Sequence, residues 1–282
     1  MQELRRCARR SRYNAPMTEI LSLEALAARI PDGSLLAIPP DHVGVAMAAT
    51  RALLRRGVRG LRLLTVPTSG LQADLLIGAG AVAEIETAGI MLGEAGTAGR
   101  FTAAVKAGAL AVRDATCPAI HAGLQAAEKG IPFMPLRGIL GSGLVERRPD
   151  WRVIDNPYGN ADPLLLLPAL APDIALFHAP LGDRAGNVWV GRRRELATMA
   201  HAARVTLVTV EKIQDEDLFA REASAAGALS SLYVSAIAEA PKGAWPLGLD
   251  EQYGADDAHL AAYAAASRQE ARFRDYLARH VL

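Results

Sequence analysis

The chain has 282 residues, enough for one large core or two modest ones, and just over half of them are hydrophobic while only 5% are aromatic. A net charge of +1 gives no electrostatic reason to expect nucleic acid as a partner, and no apolar run reaches the length needed to span a bilayer. Two cysteines, Cys7 and Cys117, exclude a disulfide framework, and the six histidines lack metal-ligand spacing, so the sequence reads as a cytoplasmic, metal-free α/β protein.

The first sixteen residues, MQELRRCARRSRYNAP, carry five arginines and little apolar periodicity. They predict a disordered leader, or a start assigned upstream of the true one at Met17, with folding from 17 to 282 as one domain. SLEALAARI (22–30) predicts a helix, and the turn PDG (31–33) delivers the strand SLLAIP (34–39). HVGVAMAATRALLRRG (42–57) has helical spacing that stops at Gly57, and LRLLTVP (61–67) is a second strand followed by the loop TSG (68–70). ADLLIG (73–78) is a short apolar segment, and VAEIETAGIML (82–92) is strand-like. RFTAAVKAGA (100–109) and AIHAGLQAAEKG (119–130) predict helices, with IPFMPL (131–136) extended. A glycine-rich loop, RGILGSGL (137–144), and the polar stretch 145–163 form the longest irregular region, a kind of segment that often carries function. Beyond it, 172–191 predicts two strands around a turn, 194–203 a helix, 204–211 a strand, and the region near 214–223 a helix. Another strand, 231–241, and a closing helix over 257–280 complete the chain. Repeated strand-then-helix units predict an open, mostly parallel sheet with helices on both faces.

Residues Gly78 to Ala83 satisfy G-x-G-x-x-A after an apolar segment, the form of a dinucleotide-binding fingerprint. That motif needs a helix beginning at its second glycine, and VAEIETAGIML is β-branched and broken by Gly89. A tight turn between neighbouring strands is therefore the favoured reading. No nucleophile elbow and no P-loop occurs. His178, after an apolar strand, reads as a hydrogen-bonded structural residue. Asp183, Gly186 and Asn187 read as a self-bonded hairpin turn. Glu211 falls at the C-terminal end of a strand, where open α/β sheets place ligands, and a solvated loop carboxylate is an equal alternative.

The segments LLIGAGAVAEIE, GLQAAEKGIPFMPLRGILGSGL, IDNPYG, PDIALFHAPLGDRAGNV, VTLVTVEKI and AEAPKGAWPLG, in that order, resemble the α subunit of family I CoA-transferases. The likeness is strongest to the α chains of glutaconate CoA-transferases and runs from about residue 18 to 275. It implies an open α/β fold, no permanently bound cofactor, a coenzyme A thioester and a small carboxylic acid as substrates, and a β-subunit partner in an α2β2-type hetero-oligomer. In the family a glutamate of the β subunit, in a Ser-Glu-Asn-Gly-type turn, attacks the acyl-CoA and becomes a glutamyl-CoA thioester. The resemblance sets GEAG (93–96) at the mirror position on the α chain, so Glu94 is the candidate catalytic carboxylate of this chain while the nucleophile itself is expected on the partner.

Ser69, Gly70, Gly141, Ser142 and Gly143 are the candidate substrate-binding residues, their amides and hydroxyls being able to donate to an acyl carbonyl or carboxylate. The loops PTSG (67–70), GEAG (93–96) and GILGSGL (138–144) are expected to converge. In place of the family's Gly-Gly-Phe-type loop after the first strand stands IPPDHVG (38–44), whose prolines remove backbone donors. Relatives that open CoA-linked ring ketones by carbon–carbon hydrolysis share LGD..GN and GLQAA. The α chain of such a hydrolase, or a non-catalytic acyl-CoA-binding subunit, is the alternative. A nicotinamide-dependent oxidoreductase would instead bind its dinucleotide at Gly78–Ala83.

Overall fold

A computed structural model describes residues 18–282, so the expectations for residues 1–16 and for a start at Met17 lie outside the described residues. The chain enters as a short strand β1 (Glu19–Ile20), and Ser22 caps helix α1 (Leu23–Ala28) by accepting from the Ala25 amide. Strand β2 (Leu35–Ile38) leads to α2 (Met47–Arg56), which stops where Gly57 takes the left-handed conformation, as the spacing predicts. Strand β3 (Leu61–Thr65) is followed by α3 (Leu71–Gly78) and β4 (Val82–Thr87). The segment read only as short and apolar is therefore a helix. Leu71 to Ile77 are all buried, Gln72 and Asp74 included, and a helix buried on every side shows no 3.6-residue period to detect. The glycine pattern at 78–83 is the turn from α3 into β4, with Gly80 at positive φ, so it joins a helix to a strand and opens no helix.

Helix α4 (Gly99–Lys106), strand β5 (Ala111–Asp114) and helix α5 (Cys117–Lys129) follow, the last capped by Thr116 and ended by Gly130. The long region read as irregular carries more order than its polarity suggests. Strand β6 (Phe133–Leu136), helix α6 (Gly143–Glu146), strand β7 (Arg152–Asp155) and strand β8 (Pro163–Pro168) build a separate antiparallel sheet in the order β6-β8-β7. Trp151, Leu165 and Leu167 pack it on Ala119 and Ala122 of α5.

The chain then returns to the main sheet through β9 (Ile174–Asp183), the short β10 (Val188–Trp189), α7 (Arg194–Ala202) and β11 (Val205–Gln214). Beyond these lie α8 (Glu222–Ala225), β12 (Ala228–Leu229), β13 (Ala236–Glu239), α9 (Asp257–Ser267) and α10 (Glu270–His280). The strand expected over 204–211 extends to Gln214 because β9 is equally long and pairs with it to Asp183. That extension displaces the helix expected near 214–223, which shrinks to α8. The closing helix breaks near Arg268 into two.

Among the described residues ten strands form the main sheet: eight follow the path β1-β13-β11-β9-β2-β3-β4-β5 with every pairing parallel, and β10 and β12 join off that path by antiparallel pairing to β9 and to each other. Alternate residues feed two cores. Leu36, Ile38 and Leu176 face α1, α2 and α3, while Ala37, Ala175 and Phe177 face α5 and α7. Helices thus cover both faces, the architecture the alternation predicts.

Candidate active site

The strand order places the site. From β2 the chain builds outward through β3, β4 and β5, then crosses back to lay β9 on the other side of β2. Direction reverses between β2 and β9, and in open α/β sheets a crevice opens there, outside the C-terminal ends of the strands. The loops that follow β2, β3, β4 and β13 enclose a cavity of about 820 Å³. Its lining includes Asp41, Ser69, Leu71, Glu94, Tyr253 and Tyr263.

Asp41 comes from the IPPDHVG loop, and Gly44 sets the path of that loop. Gly44 has φ of +91°, its carbonyl accepts from the His178 amide at 2.8 Å, and a Cβ there would overlap the His178 carbonyl. Asp41 Oδ2 accepts the Leu71 amide at 2.9 Å, at the N-terminus of α3 where unpaired N–H groups favour a carboxylate. Oδ1 is buried without a hydrogen-bond partner. Burial pushes this carboxyl up to about 6, against the Leu71 and Gly70 amides, which lower it. The residue spacing gave no notice of Asp41. Only its position just past a strand end could have signalled it, and the switch point that makes such a position matter depends on strand order.

Ser69 pairs with the segment after β4. Its amide donates to Gly89 at 3.3 Å, and its carbonyl accepts from Met91 at 3.2 Å. The side chain is 3% exposed, and Oγ has no partner. Gly70 has no room for a side chain, because a Cβ would overlap the Asp41 carboxylate and the Met91 carbonyl. Glu94 sits on the tip of a tight reversal in which the Leu92 amide donates to the Gly96 carbonyl at 2.9 Å, with Gly93 and Gly96 both at positive φ. It is exposed at the cavity rim.

The three loops expected to converge do so in part. PTSG and GEAG meet at the cavity. Gly141, Ser142 and Gly143 do not line it: they are exposed at the start of α6, and Ser142 Oγ donates to the Ile139 carbonyl at 2.8 Å. Their placement follows from the small antiparallel sheet, of which the sequence reading gives only 131–136 as extended.

Beside the cavity Glu211 acts as a hub. It accepts from His178 Nε2 at 2.7 Å, from the Tyr253 hydroxyl at 2.6 Å and from the Lys242 amide at 2.6 Å. Burial raises its pKa, and these donors overcome that and bring it down to about 2. A carboxylate only accepts, so Nε2 is the donor, and Nδ1 meets the Thr209 hydroxyl at 2.8 Å. His178 is thus the buried, hydrogen-bonded residue expected, and Glu211 is a fixed acceptor, not a solvated loop carboxylate. Through Tyr253 this network reaches the cavity wall. Asp183 and Asn187 form the expected self-bonded turn at 2.8 and 2.9 Å, and Asp183 also accepts the Leu218 amide. Among the described residues no cluster of three histidine, cysteine or carboxylate side chains could hold a metal, and no helix is long and apolar enough to cross a membrane.

Residues 20–237 match the coenzyme A transferase family. A protein of Archaeoglobus fulgidus is 31% identical over 92% of this chain, which spans 58% of that relative's length. A 3-oxoadipate CoA-transferase subunit of Pseudomonas knackmussii is 30% identical, with 94% of both chains covered. A cholesterol ring-cleaving hydrolase IpdA subunit of Rhodococcus jostii is 31% identical over 83% of this chain and 82% of its own. Among solved structures, glutaconate coenzyme A-transferase of Acidaminococcus fermentans superposes with a TM-score of 0.85 at 26% identity, covering 94% of this chain and 89% of that one.

Proposed function

The chain belongs to the coenzyme A transferase family, and from that premise we propose that it is the α-type subunit of an enzyme that moves CoA between an acyl-CoA and a carboxylic acid, its partner being a separately encoded β subunit. The observation that carries the reading is the division of groups around the cavity. Ser69 supplies a buried, unpartnered hydroxyl, while Glu94 stands exposed to water on its turn at the rim. A chain arranged this way binds and polarises, and it leaves the covalent step to a partner.

In the proposed cycle a partner glutamate attacks the thioester carbonyl and expels CoA thiolate, leaving an acyl-glutamyl anhydride. The thiolate then attacks the glutamyl carbonyl, releasing the first acid and forming a glutamyl-CoA thioester. The same steps in reverse load the second acid. Each attack places negative charge on a carbonyl oxygen, where the Ser69 hydroxyl would donate. Leu71, Leu92 and Leu260 would pack the acyl chain. Glu94 would line the pocket, the pair would assemble as α2β2 in the cytoplasm, and no permanent cofactor would be needed.

Exchange of labelled CoA between an acyl-CoA and free acids, measured on the co-expressed pair, tests this. Exchange by the pair and none by either chain alone is expected. Activity of this chain alone would overturn it. The ring-cleaving relative supports a second reading, a carbon–carbon hydrolase with water as acceptor. Consumption of a CoA-linked cyclic ketone without any exchange would favour that one.

A further inference from the structure

The cavity wall is anionic. Asp41, Glu94, Asp250 and Asp257 line it, and no lysine or arginine does. Arg193, outside the lining, lies 3.5 Å from Asp250, and Arg268, also outside it, lies beside Gly96. His42, on the loop with Asp41, lines the cavity and is exposed. Glu94, Asp250 and Asp257 are exposed at the rim, where water weakens their field. Asp41 differs, because Oδ2 is anchored to the α3 N-terminus and Oδ1 is buried with no partner. Neutral hydroxyls of Thr68, Ser69 and Tyr253 share this wall, Ser69 Oγ being buried and unpartnered, and Leu71, Leu92 and Leu260 supply apolar lining.

A dicarboxylic acyl group carries a carboxylate at the end remote from the thioester. Seated here it would meet no lysine or arginine in the lining and would face Asp41 across a low-dielectric wall, where like charges repel most strongly. An uncharged chain would bury apolar surface against the leucines and leave Asp41 free to accept from a ligand hydroxyl or amide. We propose that the acyl group this cavity accepts is uncharged, with no second carboxylate, and that Asp41 is the residue that sets this preference. The proposal rests on the CoA-transferase reading of the cavity.

Two unreactive CoA thioethers of matched length separate the cases, S-butyl-CoA and S-(3-carboxypropyl)-CoA, with affinities measured by calorimetry on the complex of this chain with its β subunit. The butyl compound should bind at least about tenfold tighter, equivalent to about 1.4 kcal/mol. Asp41→Asn keeps an acceptor for the Leu71 amide and removes the charge. It should narrow the ratio about fivefold or more, chiefly by improving the carboxylated ligand, and Glu94→Gln on its exposed turn should narrow it less. If Asp41→Asn does not fold, the wild-type ratio and Glu94→Gln decide. Equal affinities, tighter binding of the carboxylated ligand, no binding of either, or a ratio unmoved by Asp41→Asn would each overturn the proposal. CoA exchange measured on the same preparations keeps the two readings apart. Exchange with the wrong ratio ends this inference and leaves the transferase reading standing, whereas absent exchange ends the transferase reading itself.

Discussion

Asp41 and Glu211 are two carboxyls a few strands apart whose surroundings drive them in opposite directions, and pH separates them. Asp41 is raised from 3.8 to about 6 by burial, so the folded chain holds its proton more tightly than the unfolded one. Its contribution to stability is therefore fully present below the unfolded value and declines as pH rises through about 6. Asp41→Asn should be more stable than the wild type at pH 8 by up to about 3 kcal/mol, with the gap narrowing as pH falls below about 6 and closing only below 3.8. Urea unfolding at several pH values measures it, and a gap that does not change with pH would mean the carboxyl is not destabilised by burial. Glu211 is lowered from 4.5 to about 2, so its contribution is present above 4.5 and is lost as pH falls toward 2. Glu211→Gln should cost about 2–3 kcal/mol at neutral pH, because it removes the charge that four donors face, and it should flatten the acid limb of the stability curve. Equal acid limbs in the two proteins would contradict the hub assigned to Glu211.

Helix α3 shows how an element can be set by contacts that its own sequence does not advertise. Its N-terminus is held by Asp41, thirty residues away in sequence, and by the close approach of the Met91 carbonyl to Gly70. Gly70→Ala should therefore force the Asp41 loop or the GEAG reversal outward. A loss of about 2–4 kcal/mol in unfolding free energy and a raised KM for acyl-CoA are expected, and a variant unaltered in both would remove the crowding argument. What the sequence made legible follows the same logic. The ends of α2 and α5 were readable because Gly57 and Gly130 stop each helix locally, and β2 and β3 because their apolar runs lie between turn residues. The pairing of TSG with GEAG was anticipated through the resemblance. Helix α3 is not legible because uniform burial erases periodicity, and of the small antiparallel sheet only β6 is, within 131–136 read as extended, because β7 is short and exposed and β8 follows a polar stretch. Asp41 went unread for a third reason, since the prolines beside it drew attention to lost backbone donors and its own burial is a property of the assembled sheet.

At the scale of the whole molecule the question is which chain carries the covalent chemistry. Glu94 lies on a turn with the glycines a nucleophile's turn would use, yet it is exposed, where water solvates its charge. A carboxylate with that environment fits a wall position. Glu94→Ala in the assembled pair is expected to lower kcat/KM by about 10- to 100-fold at most, the scale of one lost polar contact. Loss of the nucleophile itself would remove the covalent route and cost far more. Chemistry can locate the intermediate independently of rate. Borohydride added during turnover reduces a glutamyl-CoA thioester to the alcohol on whichever chain bears it, releasing CoA thiol. Mass spectrometry of the separated chains should find Glu94 unmodified here and the reduced residue on the β subunit. Reduction at Glu94 would reverse the assignment and make this chain the catalytic half. Reduction on neither chain, with substrate still consumed, would turn the reading to the hydrolase, in which water accepts the acyl group and no glutamyl thioester forms.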